Sequence, residues 1–184
     1  MSKLTTHKDK TVTWRLLRQV KHLIRTGRLK VTDIEEDQLR VAAVVRSYQL
    51  GSAGTDGRLP NAPDGFRLLL SQGQEVKAAL DFHYKGARLF FTHMVIGHQL
   101  DEFVTALNLL EETYRSEKKV FEVAHVDIPL AHQIHLIASS ASKQRLYRLA
   151  DGAIHKISDR HLQKETDRLQ KRSQPITAIS HTMS

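Results

Sequence analysis

Eleven histidines are the first residues of this 184-residue chain to invite chemistry. Imidazole ligates metals and exchanges protons near neutral pH. A tetrahedral metal site needs further His, Cys, Asp or Glu at helix or loop spacing. His132 and His135 stand three apart in what reads as a strand edge, which sends them to opposite faces, and no carboxylate completes a set there. The chain has no cysteine, so disulfides, thiolate ligation and thiol nucleophiles are excluded. His83, His93, His125 and His135 fall instead on predicted strands, where they suit a protonation switch at mildly acidic pH or plain surface placement. Ser139, Ser140 and Ser142 lie in a small-residue run without the glycine elbow that presents a nucleophile. Gly51, Gly54, Gly57 and Gly65 lack phosphate-loop spacing and the closing Lys-Ser or Lys-Thr. The reading is of a protein with no catalytic residues, no metal, no cofactor and no small-molecule substrate.

Charge is the stronger signal. The formal net charge is +8, and the whole excess sits in residues 1 to 30, where Lys3, Lys8, Lys10, Arg15, Arg18, Lys21, Arg25, Arg28 and Lys30 face Asp9 alone. Such concentration points to an anionic partner surface, either phospholipid or nucleic acid. Between Val12 and Thr26 the residues Trp14, Leu17, Val20 and Ile24 recur at helical spacing, with Leu16 and Leu23 widening the stripe and Gly27 as a stop. This basic amphipathic helix either lies in a membrane interface, inserting its stripe, or docks on its own domain with the charged face solvated.

These residues must be positioned by the remaining elements. Residues 1 to 10 are expected to lack regular structure. Thr32 to Glu35 has the spacing of a capping box, and a helix is predicted over 33 to 49, although the β-branched run VAAVV makes a strand the alternative. The stretch LGSAGTDGRLPNAPDG is a loop expected to serve self-association through Leu50, Leu59, Pro60 and Pro63. Strands follow at Phe66 to Ser71 and in VKAALDFHYKGARLFFTHMVI, where Lys85 and Gly86 read as the two central residues of a hairpin turn. That count pairs Tyr84 with Ala87, Phe82 with Leu89, Leu80 with Phe91, Ala78 with His93 and Val76 with Val95. HQLDEFVTALNLLEETY is the clearest helix, with Leu100, Phe103, Leu107, Leu110 and Tyr114 on one face. Strands are predicted at Lys119 to Ile128, Gln133 to Ala138, Gln144 to Leu149 and Ala153 to Ile157, the last two joined at Asp151-Gly152, before a polar helix capped by Ser158. The expected fold is α+β, an antiparallel sheet against two main helices, with a basic N-terminal helix and a polar C-terminal helix. Its divisions are a basic segment at 1 to 30, a globular domain at 31 to 158 and a polar helix and tail at 159 to 184. No apolar run reaches spanning length and the polar start is no secretory signal, so a soluble protein, peripheral to membranes at most, is expected.

The order of elements resembles the matrix protein of rhabdoviruses, of the plant-infecting type. The carriers are DQLRVAAVV, YQLGSAGTDGR, GFRLLLSQG, the YKG corner, LDEFVTALNLLEE, KVFEVAHVD and IHLIASS, over roughly residues 33 to 140. The resemblance implies a structural protein that self-associates as a homo-oligomer and links an anionic membrane to the helical viral nucleocapsid or its RNA, condensing it. It places the protein at the inner face of the virion envelope and in the host cytoplasm, with host membranes and the nucleus left open. LPNAP at 59 to 63 is not the proline-rich budding motif of many animal members, which leaves a budding role without support.

With 36 to 50 as a strand, the chain becomes four strands, a helix, four strands and a helix. That arrangement is similar to the Whirly and PUR-type single-stranded nucleic-acid binders, which stack bases on exposed aromatics beside a basic groove. Aromatics are 6% of the chain, and Phe90 and Phe121 are the candidates for such stacking.

Overall fold

The structure, a computed structural model, describes residues 4–30, 38–50, 62–128 and 133–173. Among them are nine strands and three helices: β1 (Leu4–Thr5), α1 (Lys10–Arg25), β2 (Arg40–Gln49), β3 (Gly65–Gln72), β4 (Glu75–Lys85), β5 (Arg88–Val95), α2 (His98–Tyr114), β6 (Phe121–Asp127), β7 (His135–Ser140), β8 (Lys143–Ala150), β9 (Ala153–Ile157) and α3 (Asp159–Ser173). All strands join one sheet in the order β5-β4-β3-β2-β6-β7-β8-β9, with β1 paired to β6 off that path. Two antiparallel four-strand meanders, β2 to β5 and β6 to β9, are each followed by a helix. They meet at the parallel pair β2–β6, where Arg46 to Gln49 align with Ala124 to Asp127. The fold is α+β, as expected.

Both faces of the sheet are covered, which explains the near-continuous apolar run of β3. On one face α2 buries Leu100, Phe103, Ala106, Leu110 and Tyr114 against Leu69, Ala79, Val123, Leu136 and Tyr147. On the other, α1 buries Leu16 and Val20 against Val44, Phe66, Leu68, Leu80 and Phe82. Leu162 of α3 lies on that second face too, over Ala124, Val126, Ile137 and Leu146. The alternation of Leu68 and Leu69, or Val123 and Ala124, between clusters is the two-residue period of the strands.

Local chemistry sets the bounds of α1. Asp9 Oδ1 accepts from the Thr11 and Val12 amides at 2.8 and 3.3 Å, and these hydrogen bonds hold its carboxyl below the usual range. At the other end Gly27 takes φ 66°, Arg28 N donates to Leu23 O and Gly27 N to Ile24 O, and Leu29 turns back into the core beside Leu23. This is the Schellman arrangement. The segment expected to lack structure is thereby tied down: Leu4 and Thr5 pair with Phe121 and Glu122, and His7 N donates to Val44 O at 2.8 Å.

Three expectations are corrected. Arg40–Gln49 is a strand, not the second half of a helix; Val41 pairs with Leu70 and Ala43 with Leu69 across a bulge that breaks two-residue alternation, so the apolar spacing mimics a helix. The capping-box residues 32 to 35 lie outside the described residues. The β4–β5 turn is Gly86-Ala87 between paired Lys85 and Arg88, with Gly86 at φ 62° in its first central position, as a II′ turn needs. Finally, Thr92 is an extra residue in β5, so Phe82 pairs with Phe91 but Asp81 with His93. The Asp151-Gly152 turn matches its sequence signal, with φ 52° and 71°.

Candidate functional site

Of the nine basic residues of the first thirty, Lys3 lies outside the described residues, Lys8 precedes the N-cap Asp9, Lys10 opens α1, and Arg28 and Lys30 follow its C-terminal turn. Arg15, Arg18, Lys21 and Arg25 ride on α1 itself. Of the four residues expected to insert or dock, Val20 is fully buried while Leu17 and Ile24 pack partly buried on the sheet. Trp14 alone points outward, 59% exposed. The apolar stripe is thus consumed within the domain, and what α1 presents to solvent is cationic and indole.

Trp14 forms one wall of a groove of about 800 Å³ between α1 and the tip of the β4–β5 hairpin. Tyr84, 42% exposed, lines the opposite side with Leu89; Phe90 is at its border, but its ring, paired opposite His83, points to the α2 face of the sheet. Arg15, Arg18 and Arg88 supply the groove's charge, and no carboxylate is among its lining residues. The parts are fixed by short contacts. Gln19 Nε2 donates to Leu89 O at 3.1 Å, joining α1 to the edge strand, and the Arg18 guanidinium lies 5.4 Å from the Trp14 ring centroid. Tyr84 meets Phe66 edge-on at 6.0 Å, so its ring is held while its far side is open. A concave surface with two accessible aromatic rings, Trp14 and Tyr84, among arginines can stack planar rings and neutralise the phosphates between them.

Sequence reasoning named Phe90, whose ring faces away from the groove, and missed Tyr84, Arg88 and Gln19, which no local pattern connects to Trp14. Phe121, the other stacking candidate, is buried against Tyr114 at 4.5 Å and is unavailable. Leu50 is likewise buried, closing β2 over the sheet face that α3 covers, which removes it from any contact between copies. Pro63 is half-buried, and Leu59 and Pro60 lie outside the described residues.

A second concentration of polar groups sits under the start of α2. Arg67 Nε and Nη2 donate to Asp81 Oδ1 and Oδ2, both at 2.7 Å, and His93 Nε2 donates to Asp81 Oδ2 at 2.8 Å. The Arg67 guanidinium stacks 4.5 Å from the Phe103 ring, whose edge meets His125 at 5.3 Å. Burial would raise the Asp81 carboxyl, but hydrogen bonds from Arg67 and then His93 outweigh it and hold the group well below the usual carboxylate range. The bond to Asp81 raises His93, whereas burial and then the nearby Arg67 push His125 well below the ordinary histidine value. His135 faces the other side of the sheet, 3.2 Å from Glu165, and burial lowers it as well. His83 lies half-exposed near the hairpin tip. Among the described residues no three His, Asp or Glu side chains are placed to hold a metal ion.

No protein-family model, no curated protein and no solved structure matches this chain. Among the described residues no helix is long and apolar enough to cross a membrane.

Proposed function

We propose that this protein binds single-stranded nucleic acid, with the strand lying in the groove between α1 and the β4–β5 tip. The observation that carries the reading is the exposure of Trp14 and Tyr84 in one Arg-lined groove free of carboxylates. Stacking is worth about 1–3 kcal/mol per base and tolerates any sequence, since every base has a π-face. The alternation of four strands and a helix, twice over, is similar in element order to the Whirly and PUR-type binders, which supports the reading. The test is fluorescence anisotropy of short oligothymidine and oligouridine against the full chain across a salt series. Salt-sensitive binding supports the reading, and absence of binding at low salt defeats it.

A second reading is a matrix-type protein that self-associates and links anionic membrane to a nucleocapsid. Trp14 exposed among Arg15, Arg18 and Lys21 favours it, since an indole ringed by cations also suits a lipid headgroup layer. Flotation with anionic and neutral liposomes separates the two, because nucleic-acid binding alone leaves the chain with neither vesicle.

A further inference from the structure

Four carboxylates of this basic protein line one cleft. Two adjoining cavities of about 430 and 300 Å³ share Glu102 and Ile134 among their walls and run together past the start of α2, from Asp127 at the end of β6 to Asp151 in the β8–β9 turn. Asp101 is the fourth carboxylate, and no lysine is among the lining residues. The one guanidinium among them, Arg67, gives two hydrogen bonds to Asp81, which also accepts from His93, so both cations are already engaged. Asp101 in the first turn of α2 and Asp151 in its tight turn have local reasons for their places. Asp127 has none. Among the described residues it is half-buried and makes no side-chain hydrogen bond or ion pair, and Glu102 meets only the exposed His98, at 3.5 Å. In the same cavity as Asp127, His125 is 5% exposed, and its buried Nδ1 has no hydrogen-bond partner. Buried polar groups are normally satisfied, so these open groups mark a place for an occupant that donates hydrogen bonds and carries positive charge.

The layout of the cleft separates an organic cation from a metal ion. A divalent ion needs several ligands converging on one point, and among the described residues no three His, Asp or Glu side chains do so. The carboxylates are instead spread along the cleft, whose apolar lining is Val95, Ile134 and Leu149. Burial keeps His125 neutral, which leaves its imidazole able to accept from an N–H donor. Anionic groups in a row beside apolar side chains complement ammonium groups joined by short methylene chains. We propose that this cleft binds a linear polyamine, with its inner ammonium held by Asp127 and His125, the next by Glu102, and its outer end by Asp101 and Asp151.

The inference is independent of both functional readings. Its test is calorimetric titration of the full chain with spermidine, with butylamine and with magnesium ion, at matched ionic strength. Spermidine is expected to bind at least about tenfold tighter than butylamine, because its further ammonium groups bind within the same complex. Asp127→Asn is expected to weaken spermidine binding about tenfold, the loss of one charge-assisted hydrogen bond. Glu102→Gln provides a second variant should the first fail to fold, with a loss of the same order expected. Glu111→Gln, at an exposed position of α2 outside the cleft, is expected to leave the affinity unchanged. Equal binding of spermidine and magnesium ion, or an equal loss in the Glu111 variant, means diffuse attraction to acidic surface and overturns the site. Absence of spermidine binding, or an affinity unaltered in both cleft variants, overturns it too.

Discussion

Asp81 and His93 meet at 2.8 Å because Thr92 is an extra residue in β5. Without the bulge, the hairpin would set Asp81 opposite Thr92 and turn His93 to the α1 face. Thr92 seals the irregularity by donating its hydroxyl to Asp81 O at 3.0 Å. The bulge thereby completes a buried ion pair, Arg67 to Asp81, with a third hydrogen bond.

Breaking that pair from one side leaves an uncompensated guanidinium under Phe103. Asp81→Ala is expected to cost about 3–5 kcal/mol in urea unfolding. The double change Arg67→Met with Asp81→Leu, which removes both charges, is expected to recover most of the loss. A single-variant cost below about 1 kcal/mol would show that water screens the pair.

Stability is expected to peak near neutral pH. His125 has a folded pKa well below 6.5, so its contribution is complete above 6.5 and is lost as the pH falls from there through the folded value; His135 acts in the same direction. His93 is raised, so its contribution is complete below 6.5 and is lost as the pH rises through its folded value. Asp81, depressed below 3.8, adds stability that is lost only as the pH falls below that value through the folded one. Urea midpoints from pH 5 to 9 should show both limbs. His125→Gln should flatten the acid limb and His93→Gln the alkaline one, and an unaltered profile in both variants contradicts the assignment.

The two helices on the basic face owe their places to a few apolar anchors. Leu16, fully buried between α1 and the sheet, is expected to cost about 2–5 kcal/mol when cut to Ala. Because α1 is one wall of the groove, amide exchange across Lys10–Arg25 should accelerate in that variant more than exchange in α2. Equal acceleration everywhere would mean that α1 does not open on its own.

Much of this fold was legible in the sequence, for reasons that differ by element. Leu100, Phe103, Leu110 and Tyr114 declare α2 because their spacing has one interpretation, and Asp151-Gly152 declares its turn because both positions need positive φ. Arg40–Gln49 was ambiguous because its bulge shifts the apolar pattern out of two-residue alternation. Thr92 was invisible for the same reason: pairing from a turn assumes an unbroken ladder. The groove was half-legible. The charge and Trp14 were evident, but the docking of α1 against β5, which brings Tyr84 and the hairpin tip to the same groove as Trp14, is a tertiary contact spanning some seventy residues.

In the groove, each aromatic ring should carry binding energy of its own. Trp14→Ala and Tyr84→Ala are each expected to weaken oligothymidine binding by about 1–3 kcal/mol, roughly five- to 150-fold. Arg18→Ala should lower the slope of log affinity against log salt by about 0.7, the value for one single-strand phosphate contact. Anisotropy titrations at several salt concentrations read both quantities. Losses confined to the Arg variant would mean that the groove is electrostatic and stacks nothing.

The most direct measurement is a chemical-shift titration of isotope-labelled full-length protein with short oligothymidine. The largest changes are expected at the Trp14 indole N–H, at Arg15 and Arg18, and along Tyr84 to Phe90, with α3 and the β8–β9 hairpin unmoved. Saturable binding whose shifts map to α3 or β8–β9, or a spectrum that does not respond, would contradict the groove between α1 and the β4–β5 tip as the working surface of this protein.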